Sequence, residues 1–329
     1  MIKLLTKKKL WPLIFFSVLM VSCNLDDGED TIPIPDSDIV AIAMNEDLSS
    51  LVAALEKVDL VNTLKGDGPF TVLAPSNTAF SSFLSSKGFA NLEAVPNEIL
   101  TQILLNHVIS GRVDSAPLIN LQRNYVQTLA DGPSDSKLSL YFDAVDGIIF
   151  NGSSTITKTD VVAKNGIIHL VDQVIDLPTL DTFISSDDNF EVFGSALDVA
   201  APLSTIPNLI KDNSAGPFTV FIPIEDAFDN LLATNDDWNF VSDIEENLLT
   251  AVVEHHFLNE NIRASNIVAG QTKTTLEGDD ITFVSLNGTL EITDGSGNDG
   301  AIIGVTDIQA INGVIHAIPN KVLLPDTSN

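Results

Sequence analysis

The chain has 329 residues, of which 44% are hydrophobic and 19% charged, and its formal net charge at pH 7 is −29. This length allows two ordinary domains with separate cores, and the composition is that of a folded protein. The acidity excludes nucleic acid and anionic membrane surfaces as partners, because both require basic patches, and the single cysteine excludes an internal disulfide or a cysteine-ligated metal.

The first residues predict an export signal. The stretch MIKLLTKKKL carries four lysines and is followed by an apolar run that reaches Val21. This run is too short to span a bilayer as a stable helix, which takes roughly twenty residues. It ends in LMVSC, which resembles a bacterial lipobox. We therefore predict a lipoprotein signal peptide at residues 1–22 and a lipid on Cys23.

Residues 23–37 continue with NLDDGED and TIPIPDS, which are rich in acids and proline and poor in packing residues. Such a composition predicts a flexible tether. An acidic stretch directly after a lipid-bearing cysteine is similar to the surface-export signal of Bacteroidota lipoproteins. The resemblance implies a bacterial cell-envelope protein, anchored by lipid to the outer membrane and exposed at the cell surface.

The rest of the chain reads as one module written twice. FTVLAPSNTAF, starting at Phe70, recurs as FTVFIPIEDAF at Phe218, and NGIIH at Asn165 recurs as NGVIH at Asn312. A Thr-Asp pair precedes each Asn-Gly pair, a proline follows it, and the landmarks are offset by 147 to 149 residues. We therefore place a first module at 38–178 and a second at 181–325.

Each module is predicted to contain a helix with Phe80 or Phe228 after its first strand, and two further helices before its later strands. The first of these two is amphipathic, at 48–60 and again at 190–200. The next is a stripe of apolar residues spaced four apart, which ends at His107 in one copy and at His256 in the other. In the second copy, residues 242–245 predict a capping box that starts this helix.

Strands are expected in the same order in both copies. In the first module they are predicted at 70–73, 137–142, 147–150 and 156–162, and in the second at 218–222, 281–284, 289–293 and 301–308. The pairs Asn165-Gly166 and Asn312-Gly313 then suit type I′ hairpin turns, because both residue types tolerate positive φ. A final apolar strand is predicted to close each sheet.

FTVLAPSNTAF, a helix ending in LLNHVI, and a Thr-Asp pair leading into NGIIHLVDQVIDLP together resemble the fasciclin domain, and the same order is repeated. The resemblance implies an α+β fold of two consecutive fasciclin-like domains, each a β-sandwich-like wedge of mixed strands with packed helices. It also implies an extracellular adhesion or matrix-interaction protein and no enzyme.

Fasciclin domains often carry a Tyr-His pair after the middle helix, which is implicated in cell adhesion in some animal members. The matching positions here hold Asn106-His107 and His255-His256, so these four residues are the candidate adhesion positions. Neither copy has the tyrosine, so both copies depart from the family's adhesion motif at its first position.

The histidines are interpreted as structural. His107 and His256 continue apolar helix stripes, while His169 and His316 alternate with apolar residues on strands, positions that favour core hydrogen bonds. His255 is not repeated and is expected on the shoulder of its helix. No catalytic residue and no metal ligand is assigned.

Residues 295–300 match the dinucleotide pattern GxGxxG, but the expected strand after them replaces the required helix, and flanking aspartates would repel phosphate. A glycine-rich β-hairpin loop is predicted instead. The loop also imitates a calcium-binding loop in part, so weak calcium binding stays open. No cofactor is predicted, and the absence of a GxSxG motif gives serine hydrolysis no support.

The favoured hypothesis is a lipid-anchored surface protein that binds a protein or glycan partner on a matrix or cell through both modules. An alternative is an envelope polysaccharide hydrolase, which requires a concave pocket in one copy with two carboxylates about 5–10 Å apart. A structural spacer without a ligand is a third possibility.

Overall fold

The computed structural model describes residues 35–326 and shows a mixed α+β fold built twice. The first module contains α1 (Ile39–Asn45), α2 (Ser49–Lys57), α3 (Val61–Leu64), β1 (Phe70–Pro75), α4 (Asn77–Ser86), α5 (Asn97–Asn106), β2 (Val108–Ser110), α6 (Ser115–Leu121), β3 (Arg123–Gly132), β4 (Ser136–Asp143), β5 (Ile149–Phe150), β6 (Ser154–Ala163) and β7 (Gly166–Val171).

The second module contains α7 (Leu180–Ser186), α8 (Glu191–Ala200), α9 (Ile206–Leu209), β8 (Phe218–Pro223), α10 (Glu225–Leu232), α11 (Glu246–His255), β9 (Phe257–Leu258), β10 (Thr272–Thr274), β11 (Asp280–Leu286), β12 (Thr289–Thr293), β13 (Ala301–Ile302), β14 (Ile308–Ala310) and β15 (Gly313–Ile318). The predicted order of helix, strand, helix and strand-rich region is therefore confirmed in both copies.

The sheets are organised around one parallel pair in each module. In the first, β1 lies parallel to β7 and antiparallel to β2, and the seven strands close into a barrel. In the second, β8 lies parallel to β15 in the same register, but the strands separate into two four-stranded sheets, β14-β15-β8-β9 and β10-β11-β12-β13. The second copy is thus a more open version of the first.

Each module has two apolar clusters, one between the helices and the sheet and one on the inner side of the strands. In the first module, Phe80 belongs to the helix cluster and Phe142 to the inner one. In the second, Phe193 and Phe283 occupy the corresponding clusters. Burying one such side chain contributes about 1.5–3 kcal/mol, so these clusters supply the main driving force for folding.

The Asn-Gly pairs do not form the predicted type I′ turns. Gly166 pairs with Ala163, so the two turn residues are Lys164 and Asn165, and neither has a positive φ. Glycine is required for a different reason: a Cβ on Gly166 would lie 2.0 Å from the carbonyl oxygen of Phe70 on the adjacent strand. The second module repeats this register and this close approach.

The middle helices start later than predicted. The capping box at 242–245 is wrong, because α11 begins at Glu246 and the Asp243 carboxylate instead accepts the N–H groups of Asn239 and Phe240. The four-residue stripe is also wrong in detail. Ile99 is 46% exposed, because a four-residue step drifts around a helix of 3.6 residues per turn.

Strand boundaries differ most where pairing is irregular. The ten-residue strand β3 was not predicted, and its register against β4 shifts between Gln127 and Asp131. Three short strands, β2, β9 and β10, were also missed, and the strand predicted at 301–308 is split into β13 and β14. The glycine-rich loop 295–300 does connect the antiparallel strands β12 and β13, as predicted.

The two modules pack against each other through the outer face of the first module's sheet. Tyr141 on β4 is 1% exposed and belongs to the helix cluster of the second module. Tyr125 on β3 packs edge-on against Phe183 of α7, with ring centroids 5.4 Å apart. The backbone N–H of Gln309 on β14 donates to the Ser139 hydroxyl at 2.9 Å. The modules therefore share apolar core.

Candidate functional site

One histidine follows the middle helix in each module and ties it to the end of that module. His107 follows α5, is 2% exposed, and accepts the backbone N–H of Ile175 on Nε2 at 2.9 Å. Because Nε2 accepts, the ring proton lies on Nδ1, which donates to the Ile103 carbonyl at 2.7 Å. The side chain thus joins a helix C-terminus to a segment 68 residues further on.

His256 repeats this arrangement after α11. Its Nε2 accepts the N–H of Leu323 at 3.0 Å, and its Nδ1 donates to the Val252 carbonyl at 2.6 Å. Burial lowers the pKa of His107 to about 4 and that of His256 to about 3. Both rings are therefore neutral at pH 7, as these hydrogen bonds require.

The strand histidines bind the Thr-Asp pairs. His169 on β7 accepts the N–H of Asp160 on Nδ1 at 3.2 Å and donates from Nε2 to the Val113 carbonyl at 2.8 Å. Asp160 has a φ of 57°, in the left-handed region of the backbone. The side chain of Asp160 then accepts the N–H of Ser115 at 2.8 Å.

The second module repeats these bonds. His316 on β15 accepts the N–H of Asp307 at 3.3 Å and donates to the Ile262 carbonyl at 2.8 Å, and Asp307 has a φ of 63°. Asp307 accepts the N–H of Ala264 at 2.8 Å. The interpretation of the four repeated histidines as core hydrogen-bonding residues agrees with these contacts.

Ser115, Asp160 and His169 are the three residue types of a hydrolytic triad, but their connections differ from one. The Ser115 hydroxyl donates directly to the Asp160 carboxylate, and the Nε2 of His169 is occupied by a backbone carbonyl. Burial alone would raise the pKa of Asp160, but the hydrogen bonds from Ser115 outweigh it and hold that pKa below its usual value. A serine nucleophile needs its proton taken by the histidine, so this cluster is structural.

His255, which is expected on the shoulder of its helix, is the last residue of α11 and is buried. The side chain is 0% exposed because the glycine-rich loop covers it, and the N–H of Gly295 donates to its Nε2 at 3.1 Å. Its Nδ1 faces Glu277 at 3.3 Å and the Thr275 hydroxyl at 3.2 Å. Burial lowers the pKa of His255, and Glu277 is the main opposing influence.

The four candidate adhesion positions are all buried. Asn106, His255 and His256 are 0% exposed and His107 is 2% exposed. Asn106 donates to the carbonyl of Asp176 at 3.0 Å, so it also ties its helix to the end of the module. None of these side chains is available to a partner at the folded surface.

The side chains of Asn165 and Asn312 join distant segments of their modules, a role beyond the turn predicted for them. The Asn165 side chain accepts the N–H of Ile39 at 3.0 Å and donates to the carbonyls of Leu64 and Gly66 at 2.7 and 2.8 Å. The side chain of Asn312 makes the matching contacts with α7 and with the end of α9. The repetition of asparagine at matching positions could have indicated this role, but a turn explained the Asn-Gly pairs more simply.

The glycine-rich loop uses its acidic residues internally. Asp294 accepts the N–H groups of Asn298 at 2.8 Å and Leu324 at 3.0 Å, and Asp299 accepts the Thr293 hydroxyl at 2.5 Å. Between residues 35 and 326 there is no group of three His, Cys, Asp or Glu side chains that could hold a metal ion.

An acidic groove lies in the second module between α7, α8 and α9, with a volume of about 620 Å³. The charged residues in its lining are Asp181, Asp187, Asp188, Glu191, Asp198 and Lys211. A smaller depression of about 390 Å³ in the first module is lined by serine and apolar side chains of α2 and α4 together with Leu92. The groove therefore differs from this depression in its acidic lining.

Part of this groove is also the junction between modules. Asp187 is 2% exposed, and its carboxylate accepts the Tyr125 hydroxyl at 2.8 Å and the N–H of Asn189 at 3.0 Å. Asp188 pairs with Arg123 at 2.9 Å. Burial raises the pKa of Asp187. It also raises the pKa of Asp181, which is less buried than Asp187. The acids nearest the first module thus hold the pair together.

The fold and its contacts define two consecutive copies of one α+β module. In each copy, buried histidines and an asparagine hold distant segments together by hydrogen bonds. The Fasciclin domain family model matches residues 46–178 and 188–325, and this chain belongs to that family. Across residues 35–326 no helix is long and apolar enough to cross a membrane.

Known relatives cover one or both modules. The transforming growth factor-beta-induced protein ig-h3 of Sus scrofa is 30% identical over 267 residues, which are 80% of this chain and 36% of that protein. Protein sll1483 of Synechocystis is 38% identical over 138 residues, which are 42% of this chain and 72% of that protein. The chain therefore spans little more than a third of its mammalian relative.

A solved structure shows the same fold. The FAS1 domain pair of the insect cell adhesion molecule Fasciclin I matches with a TM-score of 0.52 and 16% sequence identity, over 85% of this chain and 98% of that chain. The match extends over both modules.

Proposed function

We propose that this chain is a lipid-anchored cell-surface protein that binds a matrix, cell-surface or glycan partner through its two fasciclin modules. The observation that carries the proposal is the match of the fasciclin family to both modules. The fold of the pair is also similar to that of a domain pair from an insect cell adhesion molecule. The use of the repeated histidines as buried backbone ligands also supports it, because the most obvious candidates for chemistry are committed to the fold.

The proposed partner contacts lie on surface that differs between the copies. Both modules share their buried hydrogen bonds, so binding specificity has to come from exposed, unrepeated residues such as those of the acidic groove. The strongly acidic chain favours a protein or glycan partner over nucleic acid. Because the modules pack on each other, they present their surfaces in one relative orientation, which favours simultaneous contact with an extended partner.

Anchoring is proposed to depend on Cys23, which lies outside the described residues. Cys23→Ser removes the thiol that would take the lipid, so the protein is expected to move from the membrane fraction to the soluble fraction, as measured by fractionation and immunoblotting. Ser22→Ala is the matched control, since it keeps a small residue before the cysteine and is expected to stay membrane-bound. Membrane association of the Cys23→Ser protein would refute lipidation there.

Binding through both modules is tested with the chain lacking residues 1–22, immobilised and exposed to a panel of matrix glycoproteins and envelope polysaccharides. The two-module protein is expected to bind its partner at least about tenfold more tightly than either module alone. Circular dichroism checks that each half folds, since Tyr141 packs into the other half's core. Equal, weak binding by all three proteins would count against the proposal and favour a spacer.

The acidic groove favours the hydrolase as a second candidate, because it is concave, lies in the second module and contains several carboxylates. Its buried carboxylate, Asp187, already accepts hydrogen bonds from Tyr125 and Asn189, which suits a structural role better than proton transfer. The two functions are separated by incubating the protein with envelope polysaccharides and measuring new reducing ends. Release of reducing ends that Glu191→Gln and Asp198→Asn abolish would establish the hydrolase.

A further inference from the structure

We propose that His255 and its neighbours form an acid-sensitive contact, here called the His255 contact, that fastens Asp294, the glycine-rich loop 295–300 and residues 324–326 to the second module. The inference is independent of the partner proposed above. It rests on the one histidine that the first module does not repeat, since the matching position there is Asn106.

The hydrogen bonds fix which ring nitrogen carries the proton. The N–H of Gly295 donates to Nε2 at 3.1 Å, so Nε2 is an acceptor and the ring proton lies on Nδ1. Nδ1 then faces Glu277 Oε2 at 3.3 Å and the Thr275 hydroxyl at 3.2 Å. The loop is seated closely, because a Cβ on Gly295 would lie 2.8 Å from Cε1 of His255.

The loop in turn holds the C-terminal residues. Ser296 donates its N–H to the Leu324 carbonyl at 3.1 Å and its hydroxyl to the Pro325 carbonyl at 2.6 Å. Asp294 accepts the N–H of Leu324 at 3.0 Å. Asp294 and Ser296, which flank Gly295, therefore bind residues 324–325, so release of Gly295 from His255 is expected to loosen residues 324–326.

Three carboxylates act on the ring from the segments packed against it. The segment after β10 contributes Glu277 and Asp279, the loop contributes Asp294, and His256 adjoins on the same helix. Asp326 lies beside the loop, and its N–H donates to the Asp279 carboxylate at 2.6 Å. These carboxylates give a protonated His255 an electrostatic partner, since Glu277 Oε2 lies 3.3 Å from its Nδ1.

Protonation breaks one bond and strengthens another. The second proton must go to Nε2, which then presents a donor to the donor N–H of Gly295, so that hydrogen bond is lost. The Nδ1–H, now on an imidazolium, binds Glu277 more strongly. Burial lowers the pKa of His255, so the loop stays fastened at neutral pH and is released as the pH falls below the usual histidine range. The first module has no such response, because asparagine does not titrate.

The test follows the histidine and the loop together by NMR, in the whole chain labelled with ¹⁵N-glycine and ¹³C-histidine, from about pH 7.5 to about pH 4.5. The Gly295 amide is expected to shift with the same midpoint as the His255 ring, below about 6.5, while the Gly111 amide of the first module stays constant. Exchange protection of the Leu324 amide, corrected for the intrinsic pH effect, is expected to fall at least about tenfold.

Two variants separate the contact from general acid unfolding. His255→Asn introduces the residue of the first module and is expected to remove the pH dependence of Leu324 protection. Glu277→Gln removes the opposing carboxylate and is expected to lower the His255 midpoint by about 0.5–1 pH unit. A Gly295 amide that stays fixed while His255 titrates, or Leu324 protection that falls equally in wild type and His255→Asn, would overturn the proposal.

Discussion

Lowering the pH from 7 to 4 is expected to destabilise both modules, because His107 and His256 must bind protons that their buried sites reject. Burial lowers the pKa of His107 to about 4 and that of His256 to about 3. The unfolded chain takes up these protons near pH 6.5, so it binds more protons than the folded chain as the pH falls, and stability falls with it. Between pH 7 and pH 4, each of these two histidines is expected to lower the free energy of unfolding by roughly 3 kcal/mol.

Urea unfolding at a series of pH values measures this effect. The control is the double variant His107→Gln and His256→Gln, whose amides can donate and accept but cannot titrate. Protonation of the many carboxylates also changes stability, but it does so equally in both proteins and cancels in the comparison. The variant is expected to lose the contribution of His107 and His256 to the difference between pH 7 and pH 4, whereas His255 and His316, whose pKa values burial also lowers, contribute equally in both proteins. The same pH dependence in both proteins would contradict the assignment of neutral, buried rings.

Asn165→Ala is expected to destabilise the first module by roughly 3–6 kcal/mol, since each buried polar group left unpaired costs about 1–3 kcal/mol. The side chain satisfies the N–H of Ile39 and the carbonyls of Leu64 and Gly66, and alanine would leave all three without it. Its effect should therefore resemble that of a large core truncation.

Asn91→Ala is the matched control, because the Asn91 side chain accepts only the N–H of Ala94 at an exposed site. Loss of that cap is expected to cost about 1 kcal/mol. Thermal and urea unfolding of the two variants measure the difference. Equal destabilisation would show that the Asn165 side chain does no more than an ordinary surface cap.

The repeat made much of the fold predictable. Two copies of FTV and of NG-x-IH at one offset predicted the strands that contain these motifs and the helix before His107 and His256, because local spacing encodes those features. The parallel pairing of the two strands was not predicted, because it joins segments far apart in sequence. Strand β3 escaped because its register shifts against β4, so its apolar residues do not alternate regularly.

The contacts that define the site were less predictable because they join residues far apart in sequence. Tyr125 meets Asp187 across 62 positions, and nothing near either residue marks the pairing. The burial of His255 depends on a loop 40 residues away, whereas its helix position alone favoured the surface. The interpretation of the repeated histidines as core residues agrees with their burial, because the apolar pattern around them in sequence marks the buried face of a helix or strand.

The central claim, a tethered surface protein that works by binding, is tested most directly by attachment of the cells that produce it to immobilised matrix and glycan surfaces. Deletion of the gene is expected to reduce attachment to at least one surface. Restoring the whole chain should recover it, and restoring the Cys23→Ser chain at equal abundance should not. Attachment that is unchanged by deletion on every surface, with the protein shown to be present on wild-type cells, would contradict the claim.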